Sequence, residues 1–583
     1  MKTVLDIWKC ELAAQLTEKL GVDVNESQFV LPPNPEMGDL AFGCFALAKS
    51  MGKSPADIAK TLAAELKPTH PGIAAFEAAG PYLNVRFSNA ELVRRTILDI
   101  EETNDAFGKV NVGESKSVLL EYASLNTHKE IHVGHLRNLF LGRSAQLLLE
   151  KAGYHVIPVS YQGDVGAHVA KCLWFFVKER KADLTLTLSD VDQILKGIGA
   201  EQATGKYLGQ VYSQATAALE ANPEFVEESS AVLRALEAGE PAWTKLWLET
   251  RRWCLEEMLR NFDELDVRIT RQYLESEVVA RGQEMVDALM AKGVATESQG
   301  AIVVDLEEVK LGVFLVRKSD GNSLYSTKDI ALAELKRKEF SNLDKSIILV
   351  DNRQSFYFKQ LFEVLKRMGL STNDEHVGYD FVTLKEGAMS SRKGNIITYQ
   401  DFVAAVTDFA RTEIIKRHDD WSEGKVTHTA WCLAQAGLKF GMLRQDNDRV
   451  FVFDMDQAMA FDGDTGPYCQ YAATRLHSII RKAGGVPKGA INSEFSHPSE
   501  KILAQQLLRL PESVRQAANE LRPSIIAQWC IDVSHAINAF YRDVPVIEAA
   551  PEDKAARLRL ASAALQGLKN GLALLSIPLP EEM

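Results

Sequence analysis

The stretch Ser124-Leu125-Asn126-Thr127-His128-Lys129-Glu130-Ile131-His132-Val133-Gly134-His135 gathers three of the chain's twelve histidines. An apolar run before it, Val118-Leu119-Leu120, reads as a buried strand, and Leu136, Leu139, Phe140 and Leu147 recur after it at helical spacing as far as Gly153. A strand, a polar turn and a helix start make a nucleotide-binding junction in α/β proteins. The free N–H groups of the first helical turn and the helix dipole attract phosphate. His132 and His135 can both face that phosphate, and Gly134 has no side chain to hold a nucleotide off the backbone.

A metal reading competes, because His128, His132 and His135 sit at i, i+4 and i+7. It needs a helix that begins before His128, whereas Asn126 and Thr127 are turn residues, and the spacing fixes no acidic ligand. The plainest alternative is a set of surface histidines at a helix start. A second candidate, Glu386-Gly-Ala-Met-Ser-Ser-Arg-Lys-Gly-Asn395, follows a strand and offers the adjacent cations Arg392 and Lys393, which could close over a polyphosphate. Taken alone, it reads as a solvated basic turn. Two lookalikes fail. Met51-Gly-Lys-Ser54 lacks the earlier P-loop glycine, whose position is Leu47. Asp462-Gly-Asp-Thr-Gly466 has Pro467 in place of the glycine of a calcium loop and Ala473 in place of its twelfth-position glutamate.

The elements that must position these residues follow from periodicity. Residues 1 to about 110 form one unit, with an irregular loop over Leu31–Asp39 and a turn into a strand over Gly80–Phe87. From Ser117 strands and helices alternate. His155–Ser160 is a second strand, followed by the loop Gln162-Gly-Asp-Val-Gly166. Residues of about 172–262 form a charged helical insertion, and strands resume at Ala301–Leu306. A hairpin is expected at Lys318–Asn322, where Asp-Gly signals a turn. Ser346–Asp351 and a segment near Asp380–Leu384 are further strands. Alternating β and α with crossover-length helices implies an α/β fold with a doubly wound parallel sheet. After about residue 400 strand signals fade and a helical bundle is expected.

At 583 residues the chain is too long for one core, and about three or four domains are expected. No run of 18 apolar residues marks a membrane span, and the amphipathic N-terminus with Asp6 and Glu11 does not read as a signal peptide. The seven cysteines are scattered without a CxxC pair, which suits a reducing cytoplasm. A net charge of −13 gives no global support for nucleic-acid binding, though a local basic stripe suffices.

The His-x-Gly-His turn together with Met-Ser-Ser-Arg-Lys after a late strand resembles class I aminoacyl-tRNA synthetases. Within that class the chain closely resembles the arginyl-tRNA synthetase family over nearly its whole length. The blocks that carry the resemblance include Ser124-x-Asn126-x-x-Lys129-x-x-His132-Val-Gly-His135, Asp320–Ala331 with Tyr325 and Asp329, Val350–Gln354, Asp464–Tyr471, Ala539-Phe-Tyr541 and Leu574–Met583. Pro35-x-x-Gly38-Asp39 and Gly80–Asn84 match the family's N-terminal domain.

The resemblance implies a Rossmann-type catalytic domain over 115–400, an α+β N-terminal domain over 1–110 that binds the tRNA elbow, and a DALR-type helical anticodon-binding domain over 401–583. It implies a ligase that condenses L-arginine with ATP and passes the arginyl group to the terminal ribose of tRNA(Arg). Positioning and charge stabilisation carry such a reaction. His132, Gly134, His135 and Met389 would bind ATP, and Lys129, Ser390, Ser391, Arg392 and Lys393 would serve the chemistry beside the histidines. Mg2+ would travel with the ATP, so no dedicated protein metal site is expected. Asp329 would hold the guanidinium with Tyr325 beside it, and Glu275 is a second candidate. For Asp329 the alternative is an acid at a helix start. Ser124, Asn126 and Gln354 would bind the α-amino and carboxylate groups. Tyr82 and Asn84 would read an unpaired elbow base, against a core Tyr and a strand Asn. Tyr468, Gln470, Tyr471 and Arg475 are candidates for the anticodon loop, with core packing equally open for Tyr471. A cytoplasmic monomer with no membrane partner is expected.

Departures from the family pattern are informative. Leu125 stands at a common proline position, and Tyr357 and His168 replace a usual His and Gln. The lysine positions of the second signature loop hold Ala388 and Ser391, with Arg392 and Lys393 displaced. Lys129 is therefore expected to share the missing cation's work. Family members generally need bound tRNA before they activate arginine, and the same is expected here. Three rivals stand beside this reading: a small-molecule adenylyltransferase, a histidine–metal hydrolase, and a tRNA-binding protein that has lost catalysis.

Overall fold

The computed structural model describes residues 4–32, 37–68, 72–181, 183–319, 325–371, 373–384 and 398–583. The chain divides into two compact units. One comprises residues 1–112, 407–444 and 455–583, and the other 113–406 and 445–454.

The first unit joins the two ends of the chain. Its four-stranded antiparallel sheet contains β1 (Phe29–Val30), β2 (Leu40–Gly43), β3 (Ile73–Ala79) and β4 (Tyr82–Phe87), in the order β1-β2-β4-β3. Helices after Glu423 form a bundle, including Gly466–Lys482, Ser524–Asp543 and Pro551–Leu574. Side chains tie sheet and bundle together. Buried Asp39 accepts the Phe87 N–H at 2.7 Å and lies 3.4 Å from the Lys501 ammonium. Arg559 donates to Glu101.

The second unit holds a five-stranded sheet of β5 (Ser117–Glu121), β6 (His155–Gln162), β7 (Arg271–Leu274), β11 (Leu343–Asp351) and β12 (Asp374–Tyr379). The order is β12-β11-β5-β6-β7, and every pair is parallel. Val118, Leu119 and Leu120 of β5 are fully buried, as a central strand covered on both faces requires. From β5 the chain winds one way to β6 and β7, and the other way to β11 and β12. The strand order therefore reverses between β5 and β11, where α/β sheets open a crevice at their carboxyl ends. The helix Val133–Lys151 packs so closely on the end of β5 that a Cβ at Gly142 would lie 2.0 Å from the Tyr122 ring.

Three sequence expectations need correction. The strands β8 (Thr296–Ser298), β9 (Ala301–Asp305) and β10 (Val313–Arg317) do not extend the parallel sheet; they form a separate antiparallel sheet. The hairpin joins β9 to β10 through residues 306–312, because Lys310 and Gly312 take the left-handed conformation and Leu306 N–H bonds Gly312 O at 2.8 Å. Most of the Asp-Gly signal, residues 320–322, lies outside the described residues. Finally, strand structure does not end at residue 400: β13 (Val382–Leu384) pairs in parallel with β14 (Phe451–Phe453).

Arg137 anchors that return. Its buried guanidinium donates to the carbonyls of Asp380 at 2.8 Å, Arg449 at 2.6 Å and Asp446 at 2.9 Å. Arg137→Met strands these carbonyls and should cost about 3 kcal/mol or more, because buried acceptors lose charge-assisted partners. The expected outcome is a lower thermal melting temperature with a protease-sensitive segment near 445–454; an unchanged melt would refute the anchoring role.

Candidate active site

The turn after β5 and the loop after β6 are locked together. Gly163 N–H donates to Leu125 O at 2.9 Å, and Thr127 N–H donates to Gly163 O at 2.9 Å. Buried Gln162 accepts the Leu125 N–H at 2.7 Å and donates to Ala123 O at 3.1 Å. A Cβ on Gly163 would lie 2.1 Å from Asn126 Oδ1, so a side chain there would push the Asn126 amide out of its place beside the β6 loop. Asp164, fully buried, accepts from Ser276 N and Oγ at 2.8 and 2.7 Å and pairs with Arg251 at 2.8 Å. It thereby fixes the loop to the start of the helix Glu275–Ala291 and to the insertion helix Pro241–Glu264.

One cleft at the switch point is lined by Ser124, Asn126, Glu275, Tyr325, Asp329 and Gln354 together. These six come from four separate connections, each leaving the carboxyl end of a sheet strand or opening a nearby helix. Asp329 lies deep among protein atoms yet keeps part of its surface on the cleft. The Tyr357 hydroxyl donates to its Oδ2. Burial pushes the Asp329 carboxyl up to about 7, with Glu121 and Glu275 adding to the rise and Tyr357 and Lys336 opposing it. Glu275 is ion-paired with Lys328, and Glu121 with Lys336. Tyr325 is 75% exposed at the start of its helix, one turn from Asp329. Ser124 Oγ accepts the Tyr161 N–H at 3.1 Å, which leaves its own hydroxyl hydrogen to donate.

A neighbouring cleft is lined by Lys129, His132, His135 and Tyr212, and Asn126 borders both clefts. The helix begins at Val133 with His132 as its cap. His132 Nδ1 accepts the Gly134 N–H, and His135 Nδ1 accepts the His132 N–H, each at 3.1 Å. Burial, then the Lys129 charge, holds His132 down at about 4; burial, His132 and Lys129 hold His135 well below the usual range. Both rings are therefore neutral at pH 7, and with Nδ1 accepting, each carries its hydrogen on Nε2 as a donor. This corrects one expectation. Gly134 N–H is taken by His132 and His135 N–H by the His132 carbonyl, so the imidazoles, not these free amides, are the donors on offer.

The histidine trio does not converge. His128 is fully buried in the left-handed conformation, with its ring nitrogens 2.9 Å from Thr127 Oγ1 and 2.9 Å from Thr250 Oγ1. Burial pushes it down to about 3. It clamps the turn to the insertion and is neither a metal ligand beside His132 nor a surface residue.

Met389, Ser390, Ser391, Arg392 and Lys393 lie outside the described residues. On their C-terminal side, Thr398 bridges His132, and Tyr399 N–H donates to Ile131 O at 2.8 Å.

In the first unit Tyr82 is exposed and meets exposed Phe45 edge-on at 5.5 Å. Asn84 is only 3% exposed, and its amide donates to Met37 O at 2.7 Å, so the strand role describes it as placed. Gln470 is likewise buried and donates to Cys432 O and Pro578 O at 3.0 and 2.6 Å, which anchors the tail rather than meeting solvent. Tyr468, Tyr471 and Arg475 share one face. The Arg475 guanidinium lies 4.4 Å from the Tyr471 ring and 5.1 Å from exposed Tyr541, and Asn538 donates to Tyr468 OH at 2.9 Å.

Sequence reasoning missed Tyr357 as the partner of Asp329, and Asp164 as the pin between loop and helix. It treated Tyr357 as a local replacement. The signal available was its position three residues past Gln354, one helical turn into the cleft.

Comparisons with known proteins agree with this geometry. Residues 99–455 match the family described as tRNA synthetases class I (R), catalytic domain; residues 6–87 match the arginyl tRNA synthetase N terminal domain; and residues 469–583 match the DALR anticodon binding domain. The chain is 38% identical to an arginine–tRNA ligase of Bdellovibrio bacteriovorus, covering 95% of this chain and 94% of that one. It is 32% identical to one from Clostridium botulinum, covering 97% of each. The structure resembles Thermus thermophilus arginyl-tRNA synthetase with a TM-score of 0.80 at 27% identity, over 100% of both chains. On these grounds the chain belongs to the arginyl-tRNA synthetase family, class I ligases that join arginine to tRNA.

Proposed function

We propose that the two adjoining clefts are the arginine and ATP sites of an arginine–tRNA ligase acting on tRNA(Arg). The observation that carries this reading is the convergence of Ser124, Asn126, Glu275, Tyr325, Asp329 and Gln354 on one cleft. Asp329 accepts the guanidinium, with the Tyr357 hydroxyl fixing the carboxylate. Glu275 is already paired with Lys328, so it is the secondary acceptor. Ser124, Asn126 and Gln354 hold the α-amino and carboxylate groups. The arginine carboxylate then attacks the α-phosphorus of Mg2+-bound ATP, and pyrophosphate leaves. The neutral imidazoles of His132 and His135 donate hydrogen bonds to the phosphates but bring no charge. Lys129, half-buried beside them, supplies a cation. Ser390, Ser391, Arg392 and Lys393 complete the phosphate site; the anchoring of Thr398 on His132 supports their action there. The arginyl group passes to the 2′-hydroxyl of the terminal adenosine.

For tRNA, Tyr82 with its neighbour Phe45 suits stacking on an unpaired elbow base, with Asn84 acting through the loop it holds. Tyr468, Tyr471 and Arg475 suit the anticodon loop, and Gln470 supports them from below. The enzyme is read as a cytoplasmic monomer. The seven cysteines are all free, which suits a reducing compartment. Among the described residues no helix is long and apolar enough to cross a membrane.

Exchange of pyrophosphate into ATP tests the reading directly: only arginine should support it, and only with tRNA present. Exchange with another amino acid, or equal exchange without tRNA, would overturn it. Lys129→Ala should lower the exchange rate about ten-fold or more, since a charge-assisted contact to phosphate is worth about 1.5–3 kcal/mol. An unchanged rate would remove Lys129 from the mechanism. Arginine binding should also depend on pH. The guanidinium binds the ionised Asp329, whose carboxyl sits at about 7 in the free enzyme. Raising the pH from 6 to 8 deprotonates it, so the arginine Kd should fall roughly ten-fold. His132 and His168, both at about 4, do not titrate in that window. Titration calorimetry should find this slope lost in Asp329→Asn; a flat wild-type profile would contradict the assignment.

A further inference from the structure

The helical insertion carries charged and aromatic groups that the reading above leaves unused. Helix Gly205–Ala221 brings Tyr212 to the cleft lined by Lys129, His132 and His135. The Lys129 ammonium lies 5.1 Å from the centre of the Tyr212 ring. Lys171, on the helix Ala167–Lys178, places its ammonium 4.9 Å from the same ring centre and donates a long 3.4 Å hydrogen bond to Thr216 Oγ1. Both distances are within cation–π range.

Among the described residues neither ammonium makes an ion pair with a carboxylate. The contrast on the same helix is clear: Lys178 is paired with Glu228 at 2.6 Å. Two like charges gathered on one ring repel each other, and the ring quadrupole offsets only part of that cost. The arrangement is complementary to a polyanion. Glu130 also lines the cleft, Lys171 reaches it only through the Tyr212 ring, and the histidines beside it add no charge. His132 and His135 are held neutral, and burial, then Lys129, and last Lys171 keep His168 down at about 4.

We propose that Lys171, gathered with Lys129 on the Tyr212 ring, is a second cation for the ATP polyphosphate, and that the helical insertion thereby completes the phosphate site. This rests on the assignment of the His132–His135 cleft to ATP. In the activation step an oxygen of the arginine carboxylate bonds to the α-phosphorus. The bond from that phosphorus to the bridging oxygen breaks, and its electron pair leaves on pyrophosphate. No proton is transferred. Lys129 and Lys171 offset the charge that grows on the leaving group, in a chain whose second signature loop has Ser391 where the family has a lysine. Tyr212 is a positioning residue: its ring lies at the cleft and holds both ammonium groups.

The test compares equilibrium binding of ATP and of AMP to the full-length chain, alongside tRNA-dependent exchange. Lys171→Gln should weaken ATP binding about ten-fold, the scale of one charge-assisted contact, while AMP and arginine binding stay within about two-fold. Lys171→Arg should restore most of the loss. Tyr212→Leu should raise the KM for ATP in the same direction, whereas Tyr212→Phe, which keeps the ring face, should behave as wild type. ATP binding unchanged in Lys171→Gln but weakened in Lys129→Ala would overturn the role of Lys171 and leave the ATP cleft standing. Equal loss of ATP and AMP binding in Lys171→Gln would reduce Lys171 to a structural residue and also overturn the proposal. If His132→Ala and Lys129→Ala both bound ATP as wild type, the ATP assignment itself would fail, and the proposal with it.

Discussion

Both halves of the site hang on the backbone lock between Leu125–Thr127 and Gly163. Each hydrogen bond in it is worth only about 1 kcal/mol net, but the groups are largely buried, and an unpaired amide there costs more than its bond contributes. The lock sets Asn126 at the cleft proposed for arginine and, three residues later, Lys129 at the cleft proposed for phosphate. The Asn126 amide packs directly on Gly163, and buried Gln162 and Asp164 hold the lock from either side. A shift of the β6 loop would therefore move the lining of both clefts at once, and the proposed reaction between a carboxylate and an α-phosphate needs the two held in register.

From that shared edge the electrostatics divide. The arginine cleft gathers Glu121, Glu275 and Asp329 against Lys328 and Lys336, a surplus of negative charge that suits a guanidinium. The neighbouring cleft, proposed for phosphate, sets Lys129 beside neutral histidines. Burial drives both arrangements: it raises Asp329 and lowers His132 and His135, and so inverts the ordinary order in which a carboxyl loses its proton before an imidazolium does.

Much of this was legible in the sequence because local pattern and local chemistry coincide. The β5–turn–helix junction, the parallel alternation, the helical insertion and the helical C-terminal part all follow from periodicity. The blocks around Asn126, Asp329 and Gln354, through their resemblance to the family, single out residues that the fold does bring to one cleft. The failures have a common form. The hairpin turn at 306–312 went unsignalled, because Lys310 takes a left-handed conformation that its residue type does not advertise. The strand β14 is three residues long and exists because Arg137 collects carbonyls more than three hundred residues away in sequence. Asn84 and Gln470 looked like ligands because amides suit base recognition; their burial is a property of their neighbours.

The sequence by itself determined which residue types stand at each strand end, because strand–turn–helix order and hydrophobic spacing are encoded within a few tens of residues, and its resemblance to the family supplied the substrate chemistry. Only the tertiary structure decided which of those residues share a cleft, which are neutral, and which are merely held. His128 differs from His132 by four positions, yet one is sealed against Thr250 and the other opens a helix beside a lysine. Desolvation and partner choice depend on segments far apart in the chain, such as Tyr357 on Asp329 and Tyr212 beside Lys129, and those contacts exist only after the sheet has brought its carboxyl ends together.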